Sequence, residues 1–201
     1  MHLCIDTATR YASTSVSFDG QILGALTWRS DQNHSTELVP AIRSIMLTKG
    51  IQPADLTGIV VVRGPGGFSA LRVGISVAKS ISLAENIPLI GIGTLEIELE
   101  PYRGMGLPIC ALVPAGKTKM FTATLDVEDD PTEPSVIDYE IKSNEDIISS
   151  AKRHTLFCGE GVGHIGDAIR THLNGQALLP LVPPPTRTPS ILAKLGNDKM
   201  K

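Results

Sequence analysis

The chain has 201 residues, 18 of them basic and 21 acidic, for a formal net charge of −3. That balance sets up no global field to draw in nucleic acid, and an aromatic content of 4% leaves little material for a base-stacking platform. The length suits one globular unit or two lobes of about 100 residues each, and no apolar run approaches the ~20 residues of a membrane-spanning helix.

The first half alternates in an orderly way. Leu3 to Thr9 reads as a short buried strand that ends in Asp6-Thr7-x-Thr9. Strands over Thr14–Phe18 and Ile22–Trp28 follow, joined by Asp19-Gly20, a type I′ hairpin signal. The pattern then predicts a helix over His34–Lys49, a strand over Gly58–Val62, a helix over Phe68–Glu85 and a strand over Leu89–Ile92. A short helix begins at Thr94 and ends before Pro101. The stretch Pro101 to Pro108, with Gly104 and Gly106, marks a boundary between lobes.

The second half predicts strands over Ile109–Val113, Met120–Val127 and Ser135–Ile141. A helix over Asn144–Lys152, a strand over Thr155–Cys158 and a helix over Ile165–Leu173 come next. Pro183-Pro184-Pro185 reads as a stiff extended spacer that delivers a last helix over Ser190–Leu195, introduced by Pro189. The expected division is therefore 1–100, 101–186 and a terminal segment 187–201 that returns to the first lobe.

The segment from Gly64 to Gly74 carries the strongest local signal, because a glycine-rich turn links a buried strand to a helix start. There, backbone N–H groups face either an anion or a close-packed neighbour, and both readings stay open. Gly64, Gly66 and Gly67 permit φ > 0, and the turn is expected to need it at Gly66 and Gly67. The spacing matches neither the Walker nor the dinucleotide-binding pattern. Gly161 to Gly166 does spell GxGxxG, but no acid-ended strand follows, so a tight turn is favoured over a dinucleotide site. Ala115-Gly116-Lys117-Thr118 ends like a Walker loop without its first glycine and reads as a hairpin turn.

Searches for metal and nucleophile motifs come back empty. The histidines at 2, 34, 154, 164 and 172 form no HxxxH pair, and GxSxG is absent. His34 and Glu37 read as helix N-terminal capping residues. Asp6 is the one acid at a strand end, either catalytic or bonded to nearby backbone N–H groups. The three cysteines, Cys4, Cys110 and Cys158, read as small hydrophobes in a reducing compartment. The opening residues have no basic n-region or long apolar h-region, so the expectation is a soluble, cytoplasmic chain.

The two long predicted helices are apolar on more than one face. Leu38, Ile42 and Ile45 form one stripe on the first, with Val39 and Met46 on another. On the second, Leu71, Ile75 and Ala78 form one stripe, and Ala70, Val73, Val77, Ile81 and Ala84 form another. One stripe is needed for the lobe's own sheet, and the other is a candidate partner surface.

Taken in order, the Asp-Thr turn, the hairpin, Asn33 to Pro40, the glycine loop and Pro88 to Glu96 resemble the TsaB (YeaZ) family. The resemblance covers roughly residues 1 to 98 and is weak beyond residue 100. It implies an α/β actin-like ATPase (ASKHA) fold of two lobes, each with a mixed sheet and flanking helices. It also implies a non-catalytic subunit of the bacterial tRNA threonylcarbamoyladenosine system that binds the TsaD catalytic subunit, with the TsaE ATPase joining the assembly. On that reading the chain pairs with itself when alone and reaches tRNA only through the complex. The implied interface comprises Leu38, Val39, Ile42, Met46, Leu71, Ile75 and Ala78. Asp6, Thr7, Thr9, Gly64, Gly66 and Gly67 would line a vestigial nucleotide cleft. No cofactor is expected, with ATP or ADP admitted only at a complex interface. The rival class is an actin-like ATPase or phosphotransferase active in its own right. Such an enzyme needs further acids in the second lobe, where Val113 to Lys117 offers none and lacks the family's Asp-Ala-Arg-type segment.

Overall fold

The computed structural model describes residues 1–126, 137–180 and 184–201. The chain divides into two compact units, one made of residues 1–97 with 187–201 and the other of residues 98–186.

In the first unit, β1 (His2–Asp6), β2 (Tyr11–Phe18), β3 (Gln21–Arg29), β4 (Gly58–Gly64) and β5 (Leu89–Gly93) form one sheet in the order β3-β2-β1-β4-β5. β1, β2 and β3 pair antiparallel, whereas β4 joins β1 and β5 in parallel. The two-residue turn between β2 and β3 holds Asp19 at φ 45° and Gly20 at φ 75°, both left-handed as a type I′ hairpin requires.

α1 (His34–Lys49) and α2 (Phe68–Glu85) cover one face of this sheet and α6 (Pro189–Met200) the other. The alternation along β4 shows why. Ile59 and Val61 join Leu3, Ile5, Val16, Leu38, Ile42, Ile45 and Ala78 in one core. Val60 and Val62 join Cys4, Ile92, Leu192 and Ala193 in another. A strand buried on both faces reads as an unbroken apolar run, and β4 does.

α6 is longer than the predicted Ser190–Leu195. Gly196 and Asn197 resemble a helix stop, yet they lie inside the helix. A Cβ on Gly196 would stand 2.3 Å from Val60 Cγ2, so its glycine serves close helix–sheet packing instead of termination.

In the second unit, β6 (Ile109–Pro114), β7 (Lys119–Leu125), β8 (Ile137–Ser143) and β9 (Leu156–Cys158) form a mixed sheet in the order β8-β7-β6-β9. α3 (Thr94–Leu99) leads in from the first unit. α4 (Asn144–Ser150) and α5 (Val162–His172) enclose a core of Leu112, Met120, Ile147, Phe157, Ile165 and Ile169. α5 starts three residues before the predicted Ile165, since Gly163 and Gly166 sit within the helix. Val127, Ser135 and Pro183 lie outside the described residues, and the Pro184–Pro185 peptide is cis. Two mixed sheets with flanking helices agree with the fold class expected from the sequence. Among the described residues, no helix is long and apolar enough to cross a membrane.

Candidate functional site

The polar turn at the end of β1 is closed from within its own unit. Asp6 Oδ1 accepts a hydrogen bond from the Ala8 N–H at 2.9 Å, the backbone role foreseen for it. Asp6 Oδ2 accepts from Arg187 Nε at 2.8 Å, in a pair whose members are each only 4% exposed. Arg187 Nη2 also donates to Thr9 Oγ1 at 2.9 Å, and Thr9 Oγ1 accepts from the Tyr11 N–H at 3.2 Å. Thr7 Oγ1 donates to the Ala70 carbonyl at 2.7 Å. The structure thus brings Asp6, Thr7 and Thr9 together, and adds an arginine that no local sequence signal connects to them.

His34 is drawn into the same turn. Its Nε2 lies 3.0 Å from the Thr9 carbonyl, which can only accept, so Nε2 carries the hydrogen. Nδ1 lies 3.3 Å from Ser30 Oγ. His34 is buried here and ties α1 to the turn, in place of the capping role expected from sequence. Glu37 accepts from Trp28 Nε1 at 2.9 Å, and hydrogen bonding from Ser30 and Trp28 lowers its carboxyl below the ordinary value.

The glycine loop packs against the turn. The Gly67 N–H donates to the Ala8 carbonyl at 2.8 Å. Positive φ falls on Gly64, at 106°, and not on Gly66 or Gly67 where the turn was expected to need it. Gly67 has φ −64°, and Gly66 is required by proximity instead, since a Cβ there would lie 2.2 Å from Ala8 O. Gly74, nearly two turns into α2, is held by the same constraint: its Cβ would stand 2.3 Å from Thr7 Oγ1.

The helix pair corrects part of the expected interface. Leu38, Ile42 and Ala78 belong to the first unit's own core, because they are the residues of α1 and α2 that face the sheet. Met46, Leu71 and Ile75 are half-buried. Val39 is exposed at 52%, and three residues that the stripe argument missed are more so: Leu47 at 66%, Phe68 at 68% and Leu83 at 71%. The Arg72 guanidinium sits 4.0 Å over the Phe68 ring. Helical spacing alone could have found Phe68 and Leu83, which share a stripe with Arg72, Ser76 and Lys79.

In the second unit, the GxGxxG segment opens α5. Cβ atoms at Gly159 and Gly161 would press on Leu112, at 2.5 Å from its carbonyl oxygen and 2.7 Å from its Cβ, so these glycines allow close backbone packing. After α5, Leu178 makes an isolated bridge to Leu156 where a dinucleotide fold would place an acid-ended strand. A cleft of about 430 Å³ borders α5, with Tyr102, Glu160, His164, Asp167 and Arg170 on its walls. Ala115 to Thr118 is the turn of the β6–β7 hairpin, closed by the Ala115 N–H on the Lys119 carbonyl at 2.9 Å. Among the described residues, no group of three or more His, Cys, Asp or Glu side chains converges as metal ligands would.

The family model described as TsaD, tRNA N6-adenosine threonylcarbamoyltransferase, matches residues 22–148. The chain is 24% identical to the tRNA threonylcarbamoyladenosine biosynthesis protein TsaB of Bacillus subtilis, over 98% of this chain and 87% of that one. It is 33% identical to the TsaB of Escherichia coli over 46% of this chain and 40% of that one. Among solved structures, YeaZ from Pseudomonas aeruginosa superposes with a TM-score of 0.72 at 19% identity, covering 99% of this chain and 92% of that one. The activator of 2-hydroxyisocaproyl-CoA dehydratase from Clostridium difficile, solved with bound ADPNP, shares the fold at a TM-score of 0.51 and 13% identity, over 98% of this chain and 93% of that one.

Proposed function

The chain belongs to the TsaB (YeaZ) family, within the wider group that the TsaD model describes, and on that premise we propose that it is a non-catalytic subunit for threonylcarbamoylation of tRNA adenosine. It binds and supports a TsaD-type catalytic subunit in the cytoplasm, and the TsaE ATPase joins that assembly. Alone, it pairs with a second copy of itself. It carries no cofactor of its own, and tRNA is met only through the complex.

The observation that carries this reading is the exposed apolar set on α1 and α2: Val39, Leu47, Phe68 and Leu83. Large apolar side chains grouped on one helix pair mark an association surface. The TsaD model spans both helices, which supports a TsaD-type partner with an equivalent helix pair. A stable pairing buries at least about 1,000 Å² in total. The lack of autonomous catalysis is supported by Asp6, whose carboxylate is engaged by Ala8 and Arg187.

The test combines size-exclusion chromatography with a TsaD-type subunit and circular dichroism. Val39→Glu, Phe68→Glu and Leu83→Glu should stay folded and lose the complex, and with it threonylcarbamoyl transfer to tRNA. Leu38→Glu, in the core, should unfold. Normal binding by all three surface variants would place the contact elsewhere. Steady ATP hydrolysis by the isolated chain, abolished by Asp6→Asn, would replace the scaffold reading with that of an ATPase.

A further inference from the structure

We propose that Arg187 is the resident cation of the β1 turn, and that it closes this turn to a metal-bound nucleotide. The actin-like fold implies a nucleotide, so the residues present must be tested against it. A metal–nucleotide at this turn would need an ionised acid open to the cation, free N–H or O–H donors for phosphate oxygens, and room between the two loops.

The acid and the room are lacking, and two of the donors are already engaged. Both Asp6 oxygens already accept hydrogen bonds, and the side chain is sealed from water. The Gly67 N–H is directed at the Ala8 carbonyl, and the Thr7 hydroxyl at the Ala70 carbonyl. Gly66 lies so close to Ala8 that a single methyl group would not fit between them. The turn does not fit the nucleotide that the fold implies.

The chemistry of arginine explains why the closure is durable. A buried carboxylate needs a counter-charge, and a divalent ion or a guanidinium can each supply one. The guanidinium is always charged, and its planar fork reaches Asp6 and Thr9 together. It is also tethered, arriving at the head of the segment 187–201, whose α6 packs on the same sheet. Tethering gives it an effective concentration that a free ion must compete against. A second cation placed beside it would be repelled, and an anionic phosphate is kept out because Asp6 already neutralises the arginine.

Isothermal titration and electron paramagnetic resonance with Mn²⁺ and ADP test this on the full chain. Wild type should show no Mn²⁺·ADP binding that depends on Asp6. Arg187→Gln frees the carboxylate but not the loop, and should bind Mn²⁺ alone at least about tenfold tighter than wild type. Asp6→Asn/Arg187→Gln, which removes both charges together, should return to the wild-type level. Arg187→Lys, which keeps the positive charge, should also stay there. A measurement on wild type alone guards against a variant that fails to fold: Mn²⁺ should leave the amide resonances of residues 6–9 unbroadened. Selective broadening of those signals would overturn the proposal. So would folded Arg187→Gln binding Mn²⁺ no tighter than wild type, or ADP binding to wild type that Arg187→Lys abolishes.

Discussion

A Cβ placed on Gly66 would stand 2.2 Å from the carbonyl oxygen of Ala8, so these two backbones touch where no other residue type fits. The contact joins the loop before α2 to the turn after β1. The three loop glycines should therefore respond differently to substitution. Gly66→Ala must move one of two backbones, an overpacking cost of about 1–3 kcal/mol. Gly64→Ala forces a φ of 106° on an L-residue, at about 1–3 kcal/mol. Gly67→Ser adds a capping hydroxyl at φ −64°, where a Cβ makes only ordinary contacts with Ala70 and Ala8, and should leave the melting temperature unchanged or slightly raised. Equal losses at 66 and 67 in thermal melts would refute the proximity argument.

Glu96 should make stability depend on acid. Burial works to raise its carboxyl, but hydrogen bonding and charge from Lys199, then Arg63 and the Gly93 N–H, outweigh it and hold the group below its ordinary 4.5. Lys199 Nζ lies 2.7 Å away and Arg63 Nη2 3.3 Å, each on the opposite oxygen. A lowered folded value means the contribution is fully present above pH 4.5 and is lost as pH falls through the folded value. Solvent around the exposed ends of Lys199 and Arg63 limits it to about 1 kcal/mol or less. Glu96→Gln should melt lower than wild type at neutral pH, by at most about 2–4 °C, with the gap closing in acid. A gap that stays constant with pH would show that the carboxylate charge is not what matters.

The cysteines should be inert in the folded chain. All three are buried. Burial pushes the Cys4 thiol up to about 11 and raises Cys110 and Cys158 as well. Thiolate is the reactive form, so a disulfide reagent should label none rapidly at neutral pH and all three after unfolding. One equivalent reacting within the mixing time would contradict the burial described.

The architecture was largely legible from residue order. α1 and α2 have the bounds that their periodicity predicts, because each is long, amphipathic and closed by a residue able to turn left-handed, Gly50 and Asn86. The Asp19-Gly20 hairpin was equally plain. What periodicity does not reveal is which apolar stripe a lobe keeps for itself. Leu38 and Val39 are neighbours in sequence and alike in chemistry, yet one lies in the core and the other in solvent. That choice depends on where the sheet lies under the helix.

The turn at Asp6 was visible as a candidate, and its closure was not. Asp6 and Arg187 are 181 positions apart, and nothing local to either announces the other. The nearest hint is a single basic residue between Pro185 and Pro189 ahead of a helix, a pattern open to many readings. Gly196 shows the same limit. A glycine late in a helical pattern looks like a terminator, and only the nearby Val60 reveals its use in packing.

The division of the first unit between residues 1–97 and 187–201 sets an order of events during synthesis. The part that leaves the ribosome first is finished last. At roughly 5–20 residues per second, on the order of 10 s separates β5 from Arg187. Throughout that interval Val60, Val62 and Cys4 lack their α6 cover, and Asp6 lacks its counter-charge. A stalled or prematurely stopped message would release a second unit whose sequence is complete, joined to a first unit whose sheet is still open on one side.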